Sequence, residues 1–281
     1  MTALHIQAFG RLRLQYREIV ISSFPTRHVE ELFAYLLLHP KMDHHREKLI
    51  ALLWPDGSPE KARGRLSTAL WRLRTLFAEL GLETAVILPT SRDWIAFSPD
   101  CPLSCDLTHF AEALTQAAQA DGAARERWLQ TAVSLYQGDL CAGLYADWLL
   151  IVREQLARHY LQALGDLMAA CLARHAYAEA ATYGQTILAA DPLREEVHRA
   201  LMRCYWQLGQ PTQAIQQFHH CATLLLDELH ILPLPETRAL YQQILEERLP
   251  HSPTNTNPAL HAAYRDFLHA GDRLNALLNR E

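Results

Sequence analysis

Long apolar runs are missing from this chain. No stretch of its 281 residues reaches the roughly 18 consecutive apolar positions that a membrane span needs, and no signal-peptide pattern is present. A soluble, cytoplasmic protein with no membrane partner is therefore expected. Metal-ligand spacing is missing as well. The six cysteines stand at 101, 105, 141, 171, 204 and 221, and Cys101-x3-Cys105 has no matching Cys or His pair downstream, which favours free buried thiols. His44 and His45 are neighbours, about 100° apart on a helix, and Pro40 separates His39 from them, a poor ligand geometry. Asp139, Asp147 and His159 share no spacing that would join a base to a nucleophile, and His219-His220 falls on a repeat helix. The expectation is no enzyme, with no catalytic, metal or cofactor-binding residues.

Positive charge is scarce overall, the net charge being −5. That average hides an asymmetry. Residues 1–98 hold 13 Lys and Arg against 10 Asp and Glu, whereas the remainder holds 13 against 21. A mildly basic head on an acidic body suits a nucleic-acid-binding module joined to an interaction domain.

The basic head concentrates its pattern in SPEKARGRLSTALWRLRTLFAEL, residues 58–80. Ser58 can cap a helix, Pro59 suits its first position, Glu60 faces the positive end of the macrodipole, and Gly81 supplies a stop. At 100° per residue, Ala62, Leu66, Ala69, Leu70, Leu73, Leu76, Phe77 and Leu80 fall in one arc of roughly 120°. The opposite face has Arg63 and Arg74 on one rim and Lys61, Arg65 and Arg72 on the other, with no carboxylate over residues 61–74. Gly64, Ser67, Thr68, Trp71 and Thr75 lie between the rims. Cationic rims around small hydroxyl residues and one aromatic suit a helix laid in a DNA major groove, the rims reaching phosphates and the centre meeting base edges. The competing reading is a solvated charged face, but such faces normally alternate in sign.

Around this helix, residues 4–21 alternate apolar and polar positions and read as a small antiparallel sheet turning near Gly10. A helix over 27–39 follows, then a second from His44 to Trp54 capped by Asp43. The stretch VILPTSRDWIAF reads as a hairpin over 86–97 with Arg92 at its tip. This order is that of a winged helix-turn-helix, with 58–80 as recognition helix, 86–97 as wing, and the second helix, which carries Arg46 and Lys48, crossing the DNA backbone. Beyond Pro99 and Pro102 the chain becomes helical, with helices expected at 107–120 (capped by Asp106), 122–136, 148–174, 177–190, 194–208, 211–228 and 236–248. An offset of 34 residues aligns Ala180 with Ala214, the tetratricopeptide period, and the first copy departs from the motif at Met168 and Gly184. The fold class expected is mainly α: a winged helix-turn-helix with small β-sheets, then an all-helical tetratricopeptide-like domain. The division expected is 1–98 for DNA binding, 103–249 for the helical domain, and 250–281 for a linker and a short amphipathic helix.

The segments LFAYLLLHP, REKLIALLWPDGSPEKARGRLSTALWRLRTLF, CDLTHFAEAL, LYQGDL, ADWLLIVREQL, LAADPLREEVHRALMRCYWQLGQPTQAIQQF and ELHILPLPETRALYQQIL occur in an order that resembles the antibiotic-regulatory-protein type of bacterial activator. That family joins an OmpR/PhoB-like winged helix to a bacterial transcriptional activator domain. The resemblance implies a transcription activator that binds tandem direct repeats in double-stranded promoter DNA, recruits RNA polymerase, and acts as a homodimer at least on DNA. The W-R-L-R run at 71–74 matches the family's R-x-L-R segment. DNA contacts are accordingly expected from Lys61, Arg63, Arg65, Ser67, Thr68, Trp71, Arg72, Arg74, Arg92, Arg46 and Lys48. Trp71 either meets a base edge or packs under the wing, and Arg74 either holds a phosphate or forms a rim salt bridge. Family wings end in a Gly-Tyr-x-Leu-like strand where this chain has Asp93-Trp94-Ile95-Ala96-Phe97. Larger relatives carry an ATPase module, and no G-x-x-x-x-G-K-[ST] occurs here, so ATP-driven control within the chain is not expected. The alternatives are a tetratricopeptide-type protein–protein adaptor and a regulator that senses a small ligand on its helical surface.

Overall fold

The computed structural model describes residues 3–55, 58–98 and 102–248. By packing, the chain divides into two compact units, Met1–Ala163 and Leu164–Glu281. The linker at 251–258 and the amphipathic segment at 259–280, like Cys101, lie outside the described residues.

The first unit starts with β1 (Leu4–Gln7), β2 (Arg13–Tyr16) and β3 (Ile19–Ile21), a meander whose register pairs Ile6 with Leu14 and Leu14 with Ile21. The alternation read from the sequence holds, since Leu4, Ile6, Leu12 and Leu14 are all buried on one face. Gly10 takes φ +82° at the turn, where an L side chain would be strained. A fourth strand, β6 (Leu103–Cys105), lies parallel to β1 and was not foreseen; the sheet order is β3-β2-β1-β6. Three residues give too little periodicity to announce a strand. Directly after it comes Asp106, the first residue of helix α5 (Asp106–Gln119). Its carboxylate accepts the backbone N–H groups of Ala8 (2.8 Å), Phe9 (3.0 Å) and Leu107 (2.8 Å). One side chain thus starts a helix and holds the end of a distant strand.

Three helices build the core against this sheet: α1 (Arg27–Leu38), α2 (Arg46–Leu53) and α3 (Pro59–Glu79). Val29, Leu32, Phe33 and Leu36 recur at helical spacing and are wholly buried, as are Leu66, Leu73 and Phe77 of α3. The rings of Phe33, Phe77 and Phe97 meet at 5.5–6.1 Å. Ser58 sits at the N-cap of α3 as expected, without a side-chain cap bond, and Gly81 follows the helix at φ +74°.

One expectation is corrected and another refined. The second helix does not run from His44 with Asp43 as cap. His44–His45 are extended as β4 and pair with β5 (Trp94–Ile95), and the cap is His45, whose Nδ1 accepts from Glu47 N at 3.3 Å. Cross-strand bonds from Lys41 N to Phe97 O and from Arg46 N to Asp93 O hold these residues out of the helix. The stretch 86–97 does close as a hairpin, but its first arm opens out of a helical turn rather than a strand. Thr84–Ile87 forms a helical turn, α4, closed by Leu88 N to Thr84 O at 3.0 Å, and it brings the consecutive Ile87 and Leu88 both into the core. The two arms are held by Ser91 N to Trp94 O at 2.9 Å and by Ala96 N to Pro89 O and Ser98 N to Ile87 O at 3.0 Å, with a bridge from Thr90 to Ile95.

The unit is completed by α5, α6 (Gly122–Leu135) and the first part of α7 (Asp147–Ala173). Phe9 anchors this layer, its ring against Phe110 at 5.3 Å and Tyr136 at 4.8 Å. Arg153 is buried and donates to the carbonyls of Leu140 and Cys141, so its charge is met by two acceptors.

In the second unit α8 (Tyr177–Ala190), α9 (Glu195–Gln207), α10 (Pro211–Leu229) and α11 (Pro235–Arg248) follow one another through short loops. Ala180 and Ala214, one 34-residue period apart, are both fully buried. Phe218 stacks on Tyr241 at 4.1 Å, whereas its counterpart one period earlier is Gly184. A Cβ at Gly184 would lie 2.9 Å from Leu201 Cδ2 and Met168 Cε, so those two side chains occupy the volume that the aromatic fills in the next copy. The architecture is a winged helix-turn-helix followed by a helical tetratricopeptide-like region.

Candidate nucleic-acid interface

α3 turns its apolar arc to the core and leaves the other face in water. Gly64, Arg65, Ser67, Thr68, Trp71 and Thr75 are all exposed along it. Their hydroxyls are oriented by the helix itself: Ser67 donates to Arg63 O, Thr68 to Gly64 O and Thr75 to Trp71 O, at 3.0–3.1 Å. Each therefore spends its hydrogen inward; Thr68 and Thr75 keep lone pairs outward for exocyclic amines such as those of adenine and cytosine in a major groove, while Ser67 Oγ already accepts from Arg46. Trp71 is 65% exposed, so it does not pack under the wing.

The two cationic rims differ. On one, Arg63 Nε meets Glu47 Oε1 at 2.9 Å, and Arg74 donates through Nη2 to Thr90 Oγ1. Arg74 is thus tied to a hydroxyl of the wing segment rather than to a carboxylate. Arg46, from the start of α2, donates to Ser67 Oγ at 3.0 Å, bringing Arg46, Arg63, Ser67 and Glu47 into one cluster. On the other rim, Lys61, Arg65 and Arg72 border a cleft of about 640 Å³, walled by Thr26, His28, Trp54, Gly64, Thr68 and Ala69. Lys48 is exposed on α2, and Arg92 is exposed in the turn 91–94, whose Asp93 carbonyl accepts from Arg46 N at 2.9 Å. At the end of that turn Trp94, 47% exposed, lies against the His45 ring at 5.2 Å.

Sequence reading missed Glu47, Thr90 and the cleft wall of Thr26, His28 and Trp54. All belong to other elements than α3, so no periodicity within 58–80 could reveal them. Burial shapes the remaining ionisable groups. Desolvation holds His44 below the usual histidine range, and its Nε2 is buried without a partner. The thiols of Cys105 and Cys204 are pushed up to about 11, and those of Cys141 and Cys221 to about 12, all chiefly by burial, which leaves them protonated and unreactive at neutral pH. Among the described residues no three His, Cys, Asp or Glu side chains come together as a metal site would need, and no helix is long and apolar enough to cross a membrane.

Residues 105–245 match the family described as "Bacterial transcriptional activator domain". Regulatory protein AfsR of Streptomyces coelicolor is 28% identical over 220 residues, covering 76% of this chain and 22% of AfsR. Transcriptional regulatory protein MoaR1 of Mycobacterium tuberculosis is 24% identical over 250 residues, covering 87% of this chain and 80% of MoaR1. The chain thus spans about a fifth of AfsR but most of MoaR1. A solved structure of Mycobacterium tuberculosis EmbR in complex with a low-affinity phosphopeptide superposes with a TM-score of 0.70 at 20% identity, over 97% of this chain and 72% of that one. The chain belongs to the bacterial transcriptional activator domain family, of the antibiotic-regulatory-protein type. That family is one of transcriptional regulators, not enzymes.

Proposed function

We propose that the chain is a sequence-specific activator that lays α3 in the major groove of promoter DNA, reading bases with Ser67, Thr68 and Trp71. Lys61, Arg63, Arg65, Arg72, Arg74, Arg46, Lys48 and Arg92 supply backbone contacts. Residues 1–98 serve as the DNA-binding domain, and residues 103–249 meet RNA polymerase or a second copy, as expected of a cytoplasmic regulator working as a dimer on direct repeats. The observation that carries this reading is the exposed face of α3, where the Thr68 and Thr75 hydroxyls with outward lone pairs and an exposed tryptophan lie between cations. Fluorescence anisotropy with a labelled duplex from the chain's own upstream region tests it. Binding is expected to fall with log[salt] at a slope of roughly 0.9 per neutralised phosphate and to exceed that for a scrambled duplex. A flat salt response with no sequence preference would favour the protein–protein adaptor instead.

A further inference from the structure

The two rims of α3 present five cations in sequence, yet the fold gives them different neighbours. Lys61, Arg65 and Arg72 have no ion pair among the described residues and share the cleft that opens toward the start of α1. No carboxylate lines that cleft; Glu31 stands behind it, taken up by Arg27 Nε at 2.8 Å and His28 Nδ1 at 3.1 Å. Thr26, at the N-cap of α1, makes no side-chain cap bond, so its hydroxyl can turn into the cleft. Lys61 and Arg65 are about 6 Å apart along the helix axis, and Arg65 and Arg72 about 10 Å, too far for all three to meet one phosphate. They suit successive phosphates of one strand. Arg63, by contrast, meets Glu47 in a pair whose side chains are 61% and 49% exposed. That carboxylate lies where a DNA backbone approaching Arg63 would pass, within a Debye length of any phosphate there.

We propose that the rims divide their work: the Lys61–Arg65–Arg72 cleft is the resident site for the phosphodiesters of one DNA strand, and Glu47 competes with the opposite strand for Arg63. This rests on the DNA-binding reading and adds to it which cations are available and which carboxylate restrains binding. Glu47 sets an upper limit on affinity by neutralising one cation of the face and repelling the strand that would claim it.

The test is the salt dependence of duplex binding by the full chain, with thermal melts confirming that each variant folds. Lys61→Gln with Arg65→Gln, both exposed positions, is expected to make the slope shallower by about 2. Arg63→Gln should change it by much less than 1. Glu47→Gln is expected to tighten binding several-fold and steepen the slope by about 1. If the wild-type chain shows a steep slope but the double variant keeps it while Arg63→Gln loses a full unit, the division of the rims is wrong and the DNA reading stands. Unchanged or weakened binding by Glu47→Gln overturns the role of that carboxylate. A flat slope for the wild-type chain itself overturns the DNA reading and this proposal with it.

Discussion

Trp71→Ala separates function from stability on α3. Trp71 is 65% exposed, so only about a third of its surface is covered in the free protein. Of the ~250 Å² a tryptophan can bury, that is under ~90 Å², or at most about 2 kcal/mol at ~25 cal/mol per Å². Alanine regains about 0.5 kcal/mol of helix propensity, and a compact unfolded state reduces the loss further, leaving about 1 kcal/mol. Leu73, two residues on and fully buried, sets the comparison: Leu73→Ala should cost about 2–5 kcal/mol. The larger side chain is therefore expected to matter less for folding. If Trp71 meets a base or thymine methyl, its loss should weaken specific binding by about 1–3 kcal/mol, roughly 5- to 150-fold, and leave non-specific binding nearly unchanged. Urea denaturation followed by circular dichroism gives the first quantity, and anisotropy with specific and scrambled duplexes gives the second. A Trp71→Ala chain as destabilised as Leu73→Ala, or one with wild-type specificity, would refute the reasoning.

Three further outcomes follow from the packing. Asp106→Asn keeps the size of the side chain but removes the charge that accepts from Ala8, Phe9 and Leu107, and should cost about 1.5–3 kcal/mol by urea denaturation. Phe218→Ala removes the ring stacked on Tyr241 and should destabilise by about 3–5 kcal/mol, with the loss read in hydrogen exchange over 195–248. His198 is buried with Nε2 facing Pro192 O and Nδ1 facing Gln217 Nε2, and desolvation lowers its pKa. The neutral ring fits this site, so the unfolded chain binds the extra proton first. The stabilisation is complete above about pH 6.5 and is lost as pH falls below it, and His198→Gln should flatten thermal melts compared between pH 7.5 and 5.5.

Much of the fold could be read from residue patterns, and the reasons are local. The meander at 4–21 was visible because strand alternation has a period of two and Gly10 marks its turn. α3 was visible because twenty residues of unbroken helical spacing leave little room for another structure. The repeat was visible because Ala180 and Ala214 answer the same packing need one period apart. The hairpin at 86–97 was visible because its turn is local, whereas His44–His45 were misread because their extended form is set by bonds to residues tens of positions away, from Lys41 and Arg46 to Phe97 and Asp93. β6 was missed for the same reason, since its three residues are a strand only because β1 lies beside them.

The same boundary runs through the candidate interface. Spacing alone determined which face of α3 is polar, that five cations rim it, and that small hydroxyl residues fill its centre, because a helix fixes the angular place of every residue from its number. Only the tertiary structure decided that Arg63 meets Glu47, that Arg74 meets Thr90, that Arg46 reaches Ser67, and that Lys61, Arg65 and Arg72 open onto a cleft. Those partners come from α1, α2 and the wing segment. Local periodicity places a charge on a surface, and long-range packing sets whether that charge is already met.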